Sequence, residues 1–460
     1  MIRLFNHWLH WRPLLQALLD SSFVIVGVII TLMWSHSGLQ IDHKHFILFG
    51  LIAVAVAMLI NTLISLYQRI HEHNVITGRA SLFLSLYLSF PIAYAIYILL
   101  PLAPASRELA QLSVMSAAFG LLVTRVRSLD PVTSKVAKRR ILVFGTGIKA
   151  NEVRQALVRS DPSAEIVGFF AGPNEINSIM PGKQIVSPGG TLLEAAIAAK
   201  AQEIVVALTE RRGGSMPMRD LLDCKLRGIK VLDLASYFER TLGQIRLDSL
   251  YAGWLIFGEG FDQGRTRVVI KRLSDIVFSM ILLILALPVM LITALLIGLE
   301  SGFPILYRQE RVGLNGRLFN VVKFRSMCND AEKGGMPRWA TANDDRITRL
   351  GHFIRKFRID ELPQLFSVLT GHMSLIGPRP ERPFFVDQLC REIPFYAVRH
   401  SVKPGVTGWA QVRYHYGATV EDAAEKLQYD LYYVKNHSLL LDLVILFETV
   451  GVVIGRKGAH

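Results

Sequence analysis

Two adjacent carboxylates, Asp360 and Glu361, stand in a part of the chain crowded with cations. Lys323 and Arg325 lie in Lys323-Phe-Arg-Ser-Met327, Arg355 and Arg358 in Arg355-Lys-Phe-Arg-Ile-Asp-Glu-Leu-Pro-Gln-Leu365, and Arg379 and Arg382 in Ile376-Gly-Pro-Arg-Pro-Glu-Arg-Pro383. An anion that can attack, set among groups that neutralise a polyanion, is the pairing phosphoryl chemistry requires. Gly-Pro-Arg-Pro is a rigid loop, and a guanidinium fixed on it offers a planar fork matched to phosphate oxygens. Asp is a favoured N-cap and Pro is welcome in a first turn, so the pattern predicts a helix over 362–369 with Asp360 as its cap, held ionised by the helix N-terminus. Taken alone, Asp-Glu-Leu-Pro reads as no more than a helix start; the surrounding cations are what add chemistry.

These blocks resemble the bacterial sugar transferase family, the monotopic phosphoglycosyl transferases that move a sugar 1-phosphate from a nucleotide sugar onto a polyprenyl phosphate. The resemblance runs from about Lys271 to the C-terminus. It includes Tyr307-Arg-Gln-Glu-Arg-Val-Gly313, Asp345-Arg-Ile-Thr-Arg-Leu-Gly351, Ser374-Leu-Ile-Gly-Pro-Arg-Pro380, Pro404-Gly-Val-Thr-Gly-Trp-Ala-Gln411 and Asp430-Leu-Tyr-Tyr-Val434 as well as the stretches above. The resemblance implies that Asp360 is the nucleophile on the phosphorus bearing the sugar and forms a covalent phosphosugar intermediate. It further implies that Glu361 holds Mg²⁺, that Lys323, Arg325, Arg355 and Arg379 bind substrate phosphates, and that Asp430 is a further acidic position of the site. The implied partners are a UDP-sugar, undecaprenyl phosphate and membrane lipid, with UMP released and a homodimer as the assembly. The implied setting is the cytoplasmic face of a bacterial inner membrane, at the first membrane step of exopolysaccharide, capsule or O-antigen synthesis.

The elements that must position these residues begin with the bulk of the chain. A length of 460 residues allows about three domains, and 51% hydrophobic residues are more than a soluble protein usually carries. The net charge of +14 comes without a nucleic-acid motif, so it is read as serving lipid headgroups and substrate phosphates. Cys224, Cys328 and Cys390 lie far apart and read as reduced thiols.

Four apolar runs, 14–33, 46–67, 82–102 and 109–123, approach the roughly 20 residues of a spanning helix and predict a transmembrane bundle over 1–127. Arg3, Arg12, Arg69, Arg79 and the basic run from Arg125 to Arg140 flank the ends that positive-inside logic makes cytoplasmic. Several further spans and the lack of a small-residue cleavage site argue against a cleaved signal peptide. Asp20, inside the first run, reads either as a functional intramembrane acid or as an interfacial one. His43/His45 and His71/His73 have no acids or cysteines at metal-ligand spacing and read as solvated loops.

From Arg140, Ile-Leu-Val-Phe-Gly-Thr-Gly-Ile-Lys-Ala150 reads as a strand, a Gly-x-Gly-x-x-Ala turn at Gly145 and Gly147, and a helix. Further strands at 164–170, 203–207 and 230–234 make 138–240 a Rossmann-like α/β domain. Ala171-Gly-Pro173 stands where a ribose-binding acid would end the second strand, which favours a scaffold or regulatory pocket over a dinucleotide site. Residues 241–270 read as a connector.

No charge appears from Ile276 to Leu299, so hydropathy alone predicts a fifth span. Basic residues on both sides place both ends on the cytoplasmic face, and Pro288 at the centre permits a sharp bend, so 271–300 is predicted to be a re-entrant membrane helix broken at Pro288. Residues 301–460 form the mainly helical catalytic domain. Its apolar stretch 439–454, interrupted by Asp442 and Glu448, suits an interfacial helix or a buried core helix.

The expected architecture is thus a multidomain membrane protein: a four-helix bundle, a Rossmann-like domain, and a re-entrant helix with a mainly helical catalytic domain. A membrane-bound nucleotide-sugar dehydratase or epimerase would need a Tyr-x-x-x-Lys pair, and no tyrosine here has lysine four residues on. A non-catalytic scaffold of polysaccharide export is the other competing reading.

Overall fold

A computed structural model describes residues 2–4, 7–9, 22, 25–26, 29, 138–160, 164–172, 186, 190–208, 216–250, 260–261, 264–328, 346–414, 417 and 419–454. The four apolar runs expected over 14–123 lie outside the described residues apart from Ser22, Ile25, Val26 and Ile29, which are helical; Asp20 and the histidine pairs lie outside them too. Two short strands, β1 (Ile2–Leu4) and β2 (His7–Leu9), stand near the N-terminus. Contacts divide the chain into two compact units, the first of 1–2 and 9–242 and the second of 3–8 and 243–460.

In the first unit, β3 (Arg139–Phe144), β4 (Ala164–Phe170), β5 (Glu203–Val206) and β6 (Lys230–Asp233) form a parallel sheet in the order β4-β3-β5-β6. The crossovers are α1 (Ile148–Ser160), α2 (Leu192–Ala198) and α3 (Met218–Leu226), and α4 (Leu234–Leu242) follows β6. Alternate β3 side chains face opposite ways, so Ile141 and Val143 pack with α1 and α4 while Leu142 and Phe144 pack with α2 and α3. The turn after β3 needs its first glycine: Gly145 has φ +133° and a Cβ there would lie 2.7 Å from the Ala207 carbonyl oxygen. The strands expected from sequence are all present in this unit, and β4 ends without an acid.

The second unit begins earlier than a connector ending at 270 would suggest. Trp409 Nε1 donates to the Gly243 carbonyl at 2.7 Å, Ile245 N donates to the Gln428 carbonyl at 3.0 Å, and Ile245 is fully buried in the core. The long helix α5 (Arg265–Ser301) follows, and it is the one helix among the described residues long and apolar enough to cross a membrane. The break expected at Pro288 is not there: one helix of 37 residues carries the proline inside it. Proline's fixed φ is helical, so the ring removes one donor without ending the helix on either side.

One face of α5, through Asp275, Ser279, Met290, Thr293 and Ile297, is buried, and the rest exposes leucine, isoleucine and valine. Polar contacts tie both ends to the same unit. Arg272 donates to the carbonyls of Val368 and Leu369 at 2.5 and 2.7 Å, and Arg325 donates to those of Ser301 and Gly302, each at 2.7 Å.

The remainder is mainly helical, as the sparse strand periodicity implied. An antiparallel hairpin of β7 (Leu306–Val312) and β8 (Leu318–Phe324) is followed by α6 (Arg349–Lys356), α7 (Gln364–Thr370) and β9 (Ser374–Ile376). Then come α8 (Pro383–Glu392), β10 (Gly405–Thr407), parallel to β9, and α9 (Trp409–Arg413). The last two helices are α10 (Val420–Asn436) and α11 (Leu439–Ile454). Of the two readings of 439–454, the core one fits: Leu441 and Ile445 join the hydrophobic core, Asp442 pairs with Lys271, and Glu448 pairs with Arg413 at 2.7 Å.

Candidate active site

Asp360 and Glu361 sit in a 3-10 turn, Ile359–Glu361, between α6 and α7. Arg358 enters that turn in the left-handed conformation, φ 57°. Ile359 and Leu362 pack beside Met290, Phe324 and Ile354, which anchors the turn to α5, β8 and α6 at once. The expected N-cap is overturned: Pro363 occupies the cap position of α7, and Asp360 lies in the separate turn before it. A cap must immediately precede the first helical residue to reach its free amides, and Asp360 is too far upstream.

The two carboxylates have opposite surroundings. Glu361 Oε1 accepts from Arg379 Nη2 at 2.8 Å and Lys323 Nζ at 3.2 Å, with Arg358 Nη1 at 3.5 Å. Burial pushes the Glu361 carboxyl up, but Arg379, Lys323 and Arg358 outweigh it and hold it well below the usual carboxylate range. Asp360, 8% exposed, has no such partner among the described residues, and its Oδ1 is buried without a hydrogen bond from them. Burial, with the neighbouring Glu361 charge added, pushes its carboxyl up to about 6 against the pull of Lys323, Arg355 and Arg358. Buried polar atoms without partners are rare, so Asp360 is a carboxylate kept free of internal ties.

Lys323 comes from β8 opposite Tyr307, and Arg379 from the loop after β9. That loop is held from several sides. Gly405 N donates to the Pro378 carbonyl at 2.9 Å, Arg311 Nη1 to the Pro380 carbonyl at 3.2 Å, and Val312 N to the Glu381 carbonyl at 3.0 Å. Gly377 is pressed so close that a Cβ would lie 2.3 Å from the Lys403 carbonyl oxygen. Arg399 Nη2 donates to the carbonyl of Arg379 itself at 2.9 Å and pairs with Asp430 at 2.7 Å.

Of the residues singled out from sequence, Lys323, Arg379 and Glu361 therefore meet, with Asp360 beside them and Arg355 near enough to act on its charge. Arg325 does not join them: it is buried and spends its guanidinium on the carbonyls ending α5. Asp430 is 2% exposed and bound to Arg399, behind the loop that carries Arg379. Gly145 and Gly147 belong to the first unit. Sequence reasoning missed Arg399 as the prop of that loop; its partner is 31 residues away in the chain, and no local pattern joins them.

A profile of the family described as bacterial sugar transferase matches residues 266–456. A UDP-glucose:undecaprenyl-phosphate glucose-1-phosphate transferase from Caulobacter vibrioides is 42% identical over 193 residues, covering 41% of this chain and 72% of that protein. The chain belongs to the bacterial sugar transferase family. Among other family members, a UDP-N-acetylgalactosamine-undecaprenyl-phosphate N-acetylgalactosaminephosphotransferase from Aeromonas hydrophila is 46% identical over 242 residues, 53% of this chain and 56% of that one. The Escherichia coli UDP-glucose:undecaprenyl-phosphate glucose-1-phosphate transferase is 41% identical over 194 residues, 42% of each. The matches thus span about half the length of these last two relatives.

No group of three or more His, Cys, Asp or Glu side chains gathers among the described residues, so an all-protein metal cage is absent from them. What is present is a free Asp360 oxygen beside Glu361, whose hydrogen bonds all fall on Oε1. That donor set fits Mg²⁺, which takes one or two carboxylates and completes its shell with substrate phosphates and water.

Proposed function

We propose that this family member transfers a sugar 1-phosphate from a UDP-sugar to undecaprenyl phosphate by double displacement at Asp360. The observation that carries the reading is the contrast within the carboxylate pair: Glu361 is clamped by Arg379, Lys323 and Arg358, while Asp360 is buried, without a hydrogen-bond partner among the described residues, and backed by cations. The names of the relatives, which act on UDP-sugars and undecaprenyl phosphate, support the substrate classes.

In the first step an Asp360 carboxylate oxygen attacks the phosphorus that bears the sugar. The bond from that phosphorus to the bridging oxygen breaks, and UMP leaves with the electron pair. In the second step a phosphate oxygen of undecaprenyl phosphate attacks the same phosphorus and returns Asp360 to a free carboxylate. Arg379 and Lys323 neutralise the diphosphate throughout, and Glu361 fixes both cations in place. Mg²⁺ held by Glu361 would add charge neutralisation of the diphosphate.

The cytoplasmic face is where UDP-sugars are found, and two features support placing the site there. Basic residues flank α5 on both sides, and both ends of the helix bond through Arg272 and Arg325 to the folded unit that carries the site. The test is a purified full chain offered a panel of UDP-sugars with and without undecaprenyl phosphate. The proposal expects UMP and a labelled phosphosugar bound covalently to the wild-type protein and not to Asp360→Asn. Labelling of the Asn variant would remove Asp360 from the chemistry, and no turnover with any UDP-sugar would return the scaffold reading.

A further inference from the structure

A second cationic feature lies away from the carboxylate pair, where α5 meets the end of α7. Arg272 caps α7 by donating to its last carbonyls, and its Nη2 lies 3.4 Å from where a Cβ on Gly371 would stand. Lys403 Nζ lies 3.8 Å from that same point, so the ammonium and the guanidinium converge on one small surface. The Lys403 ammonium forms no hydrogen bond or ion pair among the described residues. Asp275 is the nearby carboxylate that could have answered it. Its Oδ1 already accepts from Lys271 at 3.0 Å, Ser374 Oγ at 3.1 Å and Leu375 N at 3.2 Å.

The surroundings say what sort of anion would come. Lys271 also pairs with Asp442 at 3.0 Å, which brings α11 against this end of α5. Leu439 and Leu443, on either side of Asp442, are exposed, as are Val268, Val269 and Leu273 on α5. A cation pair at the start of the one long apolar helix described, with exposed aliphatic side chains on that helix and on α11, is the pattern of a membrane interface: acyl chains cover the leucines and a phosphate meets the charges. Burial and the Arg272 charge lower the Lys403 ammonium's pKa, the strain that an arriving anion relieves.

We propose that Arg272 and Lys403 seat a lipid-borne phosphate. The shared chemistry is a phosphate on an acyl or prenyl chain, and two lipids supply it: the monoester of undecaprenyl phosphate and the diester of an anionic phospholipid. The first source rests on the transferase reading; the second does not.

The experiment uses the full chain, its Lys403→Gln variant and its Lys403→Arg variant in nanodiscs of phosphatidylcholine, with or without phosphatidylglycerol. Native mass spectrometry reads retained phosphatidylglycerol, and steady-state kinetics read KM for undecaprenyl phosphate. Loss of one juxtamembrane cation is worth about 1 kcal/mol, so Lys403→Gln is expected to weaken one of the two about five-fold, with Lys403→Arg restoring it. A change in retained phosphatidylglycerol alone identifies bulk phospholipid; a change in acceptor KM with kcat kept identifies the acceptor. Lipid retention needs no turnover, so it stands if the transferase reading fails. A Gln variant that folds and matches wild type in both arms overturns the seat, as does an Arg variant no better than Gln.

Discussion

Arg399 Nη2 lies 2.7 Å from Asp430 Oδ2, with the side chains 6% and 3% exposed, and the same guanidinium nitrogen donates to the backbone carbonyl of Arg379 at 2.9 Å. Burial opposes the charges of both partners, so each requires the other. The pair holds the loop whose next contact outward is Glu361, through Arg379 Nη2.

Asp430→Ala therefore leaves a buried guanidinium without its anion, and a loss of about 3–5 kcal/mol in unfolding free energy is expected. The double variant Arg399→Met/Asp430→Leu should recover most of that stability. Its turnover should stay low, because the Arg379 carbonyl has lost its donor. Denaturant unfolding and UMP release on the same preparations check both halves. Full activity in the double variant would free the loop of any need for Arg399.

Asp360→Asn is expected to cut turnover by at least about 10⁴-fold, the scale of losing a covalent nucleophile. It should also make the protein more stable at neutral pH. The folded-state carboxyl is raised from 3.8 to about 6, so the folded protein holds that proton more tightly than the unfolded chain does. Ionisation then costs stability as pH rises from about 4 to 6, by on the order of 2–3 kcal/mol once complete. Wild type and Asn variant should accordingly unfold alike below pH 4 and diverge above pH 6, which thermal melts across that range would show.

The same ionisation governs the first chemical step. Only the carboxylate attacks, so single-turnover formation of the phosphosugar intermediate should rise with pH through about 6 and level off above it. Rapid-quench measurements on the full chain report it. A rate flat from pH 5 to 8 would mean that bound substrate or metal has already drawn the proton from Asp360.

The start of the second unit can be tested by shortening the chain. A version beginning at Gly243 keeps Ile245 in the core and the bond from Trp409 to the Gly243 carbonyl, whereas one beginning at Gly264 loses both. Both retain every residue of the carboxylate site. The shorter version should be less stable by at least about 2 kcal/mol, the cost of emptying one large aliphatic site. Per folded molecule the Gly243 version should form the intermediate at the full-length rate; a folded Gly243 version that forms none would give the preceding residues a part in catalysis.

Topology calls for labels at exposed positions just outside α5 and at its start. In a background without native cysteines, Thr266→Cys and Phe303→Cys should both react from the cytosolic side. Periplasmic labelling at position 303 would make α5 a true span.

The sequence alone determined what is local. Strand β4 was legible to the residue from its apolar run, and the turn at Gly145 from its spacing, because backbone sterics and side-chain alternation act within a few residues. The carboxylate pair and its cations were legible for the same reason, as residue types whose chemistry does not wait on folding. The tertiary structure decided which of those cations meet. Arg325, two residues from Lys323 in the chain, would share its face in a continued strand, but β8 ends at Phe324 and the chain beyond it carries Arg325 to the end of α5. Asp430 looks in sequence like another acid for the site, and only the packing of α10 behind the Arg379 loop commits it to Arg399. Likewise the free state of Asp360 depends on desolvation and on Glu361 taking the cations first, which are properties of a filled volume and not of a pattern.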